Sequence, residues 1–194
     1  MVEYFTVKNL LSKEECDSII KYSIDNFKLQ EGLVGNKNGV GEKNESSRKS
    51  SIVFIDIDNK FSFVKQRILE QIPKYIKVKG YNINFENTHY QFTEYKTGEY
   101  YNWHADSSKS GPLSKRYCSI VIQLNDEYEG GELQMNLSSL ESENIITFER
   151  GIGNLFVFLS SITHRVDIVN LGTRYSLVNW FSLTPDNNFK KTLI

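Results

Sequence analysis

The stretch EYYNWHADSS (99–108) sets His104 and Asp106 two positions apart in a chain with only three histidines. Side chains at i and i+2 of a strand share a face, so the imidazole and the carboxylate can converge while Ala105 turns away. A neutral imidazole nitrogen and a carboxylate oxygen suit a divalent transition metal. Alone, the pair has a plainer reading as two surface residues on a strand, because this spacing arises often by chance. His164 supplies context. It lies in the strand-like run after LFVFL (155–159), and in an antiparallel double sheet that run can lie beside His104. Two imidazoles and one carboxylate on one face of an octahedral iron leave three positions open. A structural zinc site, by contrast, is closed.

Arg174 comes ten residues after His164, with the turn signal NLG (170–172) between them. That spacing predicts adjacent strands of a hairpin. A buried guanidinium there needs an anionic partner, and its rigid fork suits a carboxylate. An open metal beside an inward arginine fits a ligand that chelates at one end and carries a carboxylate at the other. 2-Oxoglutarate has that shape.

These residues need elements to hold them. Ser12 followed by Glu15 reads as a capping box, and Ile19, Ile20, Ile24 and Phe27 follow at helical spacing, so a helix is expected over about 12–27. Residues 31–50 are rich in Gly, Asn and Lys and read as a long mobile loop. SIVFIDI (51–57) alternates like a strand. Phe61, Val64, Ile68 and Ile72 fall on one face of a helix near 60–72, with Pro73 limiting its end. Short β-rich runs then follow at about 88–96, 99–105, 116–124, 131–135, 144–148, 154–159, 163–169 and 174–183. KTG, SGPLS, EGG, ERGIG and NLG separate them. Helices first and many short strands after indicate α+β, with an antiparallel sandwich or jelly roll as the main body. The tail NNFKKTLI is expected to be peripheral.

The chain's 194 residues suit one domain over 1–194, with a helical lead-in to about 80 and a β core over about 82–184. Hydrophobic content of 39% and aromatic content of 13% furnish a core and exclude global disorder. With 23 basic and 24 acidic residues the net charge is −1, which gives no global field for nucleic acid or an anionic membrane. Cys16 and Cys118 lack CxxC spacing and read as structural. The N-terminus shows no signal-peptide pattern, and no apolar run approaches the roughly 20 residues of a spanning helix. A soluble cytoplasmic protein is expected.

HAD, then a distal histidine, then an arginine ten residues on, resembles the Fe(II)/2-oxoglutarate-dependent dioxygenases, within them the prolyl 4-hydroxylase-like branch. EYKTGEYYNWHAD is similar to that branch's tyrosine, turn and metal-ligand segment. SIVIQLNDEYEGGELQM resembles its core strand and the acidic stretch with Gly-Gly-Glu-Leu. ERGIGNLFVFLSSITHRV resembles the run to the distal histidine, GTRYSLVNWF the arginine strand, and VKNLLSKEECDSIIKY the helical lead-in. The resemblance spans nearly the whole chain and is strong over 88–182. It implies a double-stranded β-helix (cupin-like jelly roll) with N-terminal flanking helices. It further implies Fe(II) on His104, Asp106 and His164, with 2-oxoglutarate and O2 as cosubstrates and ascorbate as a further small molecule. The reaction implied releases succinate and CO2 and hydroxylates prolyl residues of a peptide or protein. Tyr95 and Arg174 would hold the distal carboxylate of 2-oxoglutarate. Where some relatives carry a second tyrosine for that cosubstrate, this chain has Gln123. Arg116 and Trp180 fall where relatives place substrate-facing residues.

Other residues have plainer readings. His89 reads as a half-buried strand histidine. Tyr100, Tyr101 and Trp103 are candidates for a substrate groove, but strand aromatics more often pack a core. Gly130 and Gly131 suit a turn or bulge. Arg165 should face away from His164 as a solvated charge, and Asp126, Glu127 and Glu129 form an acidic rim that could hold a basic substrate. Two rival functions stand beside the prolyl reading. One is the same chemistry on a free amino acid, nucleobase or other small molecule. The other is a non-catalytic cupin-like binding module.

Overall fold

A computed structural model describes residues 3–35, 41–57, 59–76, 80–85, 89–109, 111–137 and 144–186. In chain order its elements are β1 (Tyr4–Val7), α1 (Lys13–Asn26), β2 (Gln30–Glu31), β3 (Val34–Gly35), β4 (Gly41–Glu42), β5 (Arg48–Lys49), β6 (Ser51–Asp56) and α2 (Ser62–Tyr75). There follow β7 (Tyr81–Phe85), β8 (His89–Lys96), β9 (Tyr100–His104), a 3-10 turn (Pro112–Lys115), β10 (Cys118–Gln123), β11 (Tyr128–Gly130) and β12 (Leu133–Asn136). The last strands are β13 (Ile145–Thr147), β14 (Leu155–Leu159), β15 (Thr163–Val166) and β16 (Val169–Pro185).

Two antiparallel sheets face each other. The major sheet runs β1-β14-β10-β16-β8-β6-β2, with β7 and β11 also paired to β16, and the minor sheet runs β13-β12-β15-β9-β5. CSIVIQ in β10 is buried on both faces, which explains why apolar residues follow one another there without alternating with polar ones at 120–122. Ile120 and Ile122 join the cluster that packs under the helices, whereas Val121 joins the one between the sheets. Cys16 and Cys118 lie buried, and burial pushes both thiols up to about 12, so they serve as small apolar residues.

The capping box forms as expected. Glu15 N donates to Ser12 Oγ and Ser12 N to Glu15. Glu15 also accepts both arms of Arg67 at 2.7 and 2.8 Å, which ties α1 to α2. Helix α2 runs past the expected stop: Pro73 lies inside it. Burial of Val64, Ile68, Ile72 and Ile76 holds the last turn in place, and Ile76 N closes it on Ile72 O.

Three further expectations are corrected. The lead-in is not only helical: beside the strand expected over 51–57, which forms as β6 against β8, it contributes β1 against β14 and β5 against β9. The segment expected to be a loop over 31–50 carries β3, β4 and β5 among its described residues, and residues 36–40 lie outside them. His164 and Arg174 do not share a hairpin. The chain leaves the minor sheet at Val166 and enters the major sheet at Val169. Asp167 makes the crossing, its backbone N–H held by Glu132 O and its carboxylate accepting from Ile168 N. NLG then lies within β16, where Gly172 faces Tyr128 of β11. The two residues therefore approach from opposite sheets. The tail 187–194 lies outside the described residues.

Candidate metal centre and cosubstrate cavity

His104 ends β9 and His164 sits opposite it on β15 as its register partner. Asp106 lies two residues beyond the strand end, where its N–H and that of Ser107 both donate to Ser160 O at 2.9 Å. A backbone clamp, rather than strand alternation, thus aims the carboxylate. Ligand atoms of the three side chains all lie within 4.8 Å of one another.

Each imidazole is oriented from behind. His104 Nδ1 lies 2.8 Å from Asn102 O and His164 Nδ1 lies 3.0 Å from Ile162 O. A carbonyl only accepts, so Nδ1 carries a proton in each ring, and in the neutral imidazole the lone pair is then on Nε2. Both Nε2 atoms face Asp106, at 3.6 Å (His104, to Oδ1) and 3.5 Å (His164, to Oδ2). Tyr101 stacks on His104 with ring centroids 3.5 Å apart, and Phe158 meets His164 edge-on at 4.6 Å. Burial pushes the His164 imidazole down to about 4, against the opposing pull of Asp106, so it is neutral at pH 7. Burial alone would raise Asp106. The facing imidazoles and the Ser119 hydroxyl outweigh it and hold the carboxyl well below the usual carboxylate range. Neutral nitrogens and one ionised carboxylate are the donor set of a divalent metal.

The triad opens onto a cavity of about 730 Å³ between the sheets. Arg174 lies on its major-sheet wall, 1% exposed. Nη1 donates to Ser176 Oγ at 3.2 Å, while Nε and Nη2 have no partner among the described residues. Unpaired N–H groups on a buried guanidinium are costly, and a carboxylate in the cavity would satisfy them. Tyr95 is its cross-strand partner on β8, with the guanidinium 5.5 Å from the ring centroid.

Arg116 and Trp180 both line the cavity, with the guanidinium 3.8 Å over the indole. Trp103 does not. As the neighbour of His104 on β9 it faces the other way, under Arg165 at 4.8 Å, while the β9/β15 register shift between His164 and Val166 brings Tyr101 onto the cavity side with His104. Arg165 faces away from the site as expected but is paired, to Gln134 and Asp167. Gln123 is not among the lining residues. Its amide donates to Asn125 O at 3.0 Å, which turns it aside from the cavity. His89 is exposed rather than half-buried, and the acidic 126, 127 and 129 are exposed away from the cavity. Arg48 was hidden inside a stretch that reads as loop. It lines the same cavity at 5% exposure, with Nη2 unpaired and its guanidinium 4.6 Å over Tyr101. Ser119 carried a visible signal, a hydroxyl inside an apolar run that needs a partner. Among the described residues no helix is long and apolar enough to cross a membrane.

Comparison with known proteins agrees with this geometry. Residues 90–182 match the family model described as the 2OG-Fe(II) oxygenase superfamily. A PKHD-type hydroxylase of Rippkaea orientalis is 33% identical over 107 residues, covering 53% of this chain and 46% of that protein. An uncharacterized PKHD-type hydroxylase of Synechocystis is 26% identical over 167 residues, covering 81% and 54%. The chain thus spans about half the length of the curated relatives it matches. The crystal structure of a Pseudomonas putida prolyl-4-hydroxylase superposes with a TM-score of 0.68 at 22% identity, over 93% of this chain and 92% of that one. A Trichoplax adhaerens prolyl hydroxylase, solved with a hypoxia inducible factor peptide fragment, gives 0.70 at 17%, over 98% and 86%. Residues 90–182 thus resemble the 2OG-Fe(II) oxygenase superfamily, and the fold is shared with the solved prolyl hydroxylases.

Proposed function

We propose that the chain is a 2-oxoglutarate-dependent hydroxylase whose substrate is a prolyl residue in a peptide or protein. The observation that carries the reading is one cavity holding two chemistries on opposite walls: the His104, Asp106 and His164 donors, and the unpaired N–H groups of buried Arg174. His104, Asp106 and His164 would hold Fe(II). The metal with 2-oxoglutarate and O2, when bound, supplies oxidation of a C–H bond with release of succinate and CO2, and ascorbate is the reductant the resemblance implies.

The chain's own residues do the rest. The Nδ1–H bonds fix both imidazoles with Nε2 toward the metal. Arg174 pairs with the distal carboxylate of 2-oxoglutarate, and Tyr95 stands beside it to complete the anchor. Val121, Leu133 and Val166 wall the cavity with apolar surface and exclude water. Leu33 and Phe54 line the same cavity yet are 45% and 44% exposed, so they form an apolar rim suited to the residues flanking a proline. Relatives named as prolyl hydroxylases support this substrate class.

One observation favours a second reading. Arg48 brings another buried, incompletely paired guanidinium to the cavity, which suits a small substrate carrying its own carboxylate. The test is a screen for succinate release and for products one oxygen atom heavier, run with Fe(II) and 2-oxoglutarate over proline-containing peptides and over free amino acids. Oxygenated peptide supports the prolyl reading. Oxygenated free acid alone replaces it with the second. Iron-dependent turnover that survives His164→Ala removes the triad assignment.

A further inference from the structure

The two oxygens of Asp106 are treated differently. Oδ2 accepts from Ser119 Oγ at 2.6 Å and from Trp180 Nε1 at 2.8 Å. Each oxygen also faces one imidazole, Oδ1 that of His104 at 3.6 Å and Oδ2 that of His164 at 3.5 Å, but among the described residues no further side-chain donor reaches Oδ1. Ser119 and Trp180 are themselves register partners on β10 and β16, so both donors project from facing positions at the centre of the major sheet. Asp106 reaches them from the end of a minor-sheet strand. Each donor is fixed in turn. Ser119 Oγ lies 2.9 Å from Ser160 Oγ, on the residue whose carbonyl clamps the Asp106 backbone. Trp180 lies under Arg116, whose Nη1 reaches Asp106 O at 3.4 Å.

A carboxylate offers about four lone-pair sites over its two oxygens. Two short donors occupy those of Oδ2 and leave Oδ1 for a metal. We propose that Ser119 and Trp180 are positioning residues that make Asp106 a one-oxygen ligand. A carboxylate free to turn could grip a metal with both oxygens and close a position that a chelating cosubstrate needs. Trp180, which sequence position suggests as a substrate contact, thereby acts through Asp106. This inference rests on the metal-binding reading given above.

The experiment titrates Co(II) into the metal-free protein and follows its visible absorption, with no turnover required. Trp180→Phe keeps a ring for Arg116 and removes the N–H, Ser119→Ala removes the hydroxyl, and Ser119→Thr restores it. Outer-shell partners of this kind hold about 10- to 100-fold in metal affinity. Each single loss is expected to weaken Co(II) binding about 10-fold, Ser119→Thr to recover it, and both losses to weaken 2-oxoglutarate binding to the Co(II)-loaded protein. Unchanged Co(II) affinity and unchanged spectra in Ser119→Ala and Trp180→Phe overturn the inference, even if both melt at lower temperature. Failure of the underlying reading looks different: the unmodified protein would then bind Co(II) no better than His164→Ala does.

Discussion

At the scale of single residues, His164 couples metal chemistry to stability. Its imidazole titrates near 4 in the folded chain against about 6.5 when free, because burial disfavours the charged form. The unfolded chain therefore takes up the proton first as pH falls. The stabilising contribution of neutral His164 is complete above about pH 6.5 and drains away toward pH 4, by up to about 1.4 kcal/mol per pH unit. Thermal melts of metal-free protein at stepped pH should show this slope, and His164→Gln should flatten it. The meeting of His104, Asp106 and His164 was legible only through the run of motifs around them, since the His-x-Asp spacing alone arises often by chance. Trp103 neighbours His104, so strand alternation alone turns it to the opposite face; what the bulge in β9 changes is Tyr101, which would otherwise share the face of Trp103. Nothing in the residue string marks that bulge. Arg48 escaped because its neighbours read as loop, and burial is a property of the assembled sheets.

At the scale of elements, helices were the most legible. The α1 capping box is a local code, and four apolar residues at helical spacing marked α2. The sequence could not show that β15 and β16 would separate into different sheets. That crossing depends on Asp167 finding Glu132 O, a contact between distant positions. Short strands such as YFTV also lack enough residues to declare a period, and β1 exists because β14 pairs with it. The join between lead-in and β core can be tested at Gly153. It has φ +72°, and a Cβ added there would fall 1.9 Å from Leu11 O. Gly98 has φ +83° but open space around it. Gly98→Ala should cost about 1–2 kcal/mol, the strain of a left-handed residue. Gly153→Ala adds the collision with Leu11 and should cost about 4 kcal/mol or more. Urea unfolding of the two variants separates strain from collision, and equal losses would show that the contact with Leu11 does not hold the lead-in.

For the whole molecule, the guanidinium of Arg174 is buried in the cavity wall with Nε and Nη2 unpaired among the described residues. Arg174 lowers stability there so that a carboxylate can be held later. Arg174→Met should therefore leave the ligand-free melting temperature unchanged or raised, while removing about 2–5 kcal/mol of 2-oxoglutarate affinity. In the unmodified, metal-loaded protein, 2-oxoglutarate at about 100 times its Kd should add about 2.7 kcal/mol of stability. Differential scanning fluorimetry with and without the keto acid reads both. A fall in ligand-free melting temperature in Arg174→Met would instead show that its bond to Ser176 matters more than its unpaired charge. A final consequence follows from β16, a 17-residue strand that pairs with β7, β8, β10 and β11. It carries Arg174, the proposed keto-acid anchor, and Trp180, whose indole donates to Asp106, on one continuous beam. The amides of its middle, flanked on both sides, should be among the last in the protein to exchange with deuterium. Any opening fast enough to release them would dismantle both anchors together, so activity should vanish in one step instead of fading.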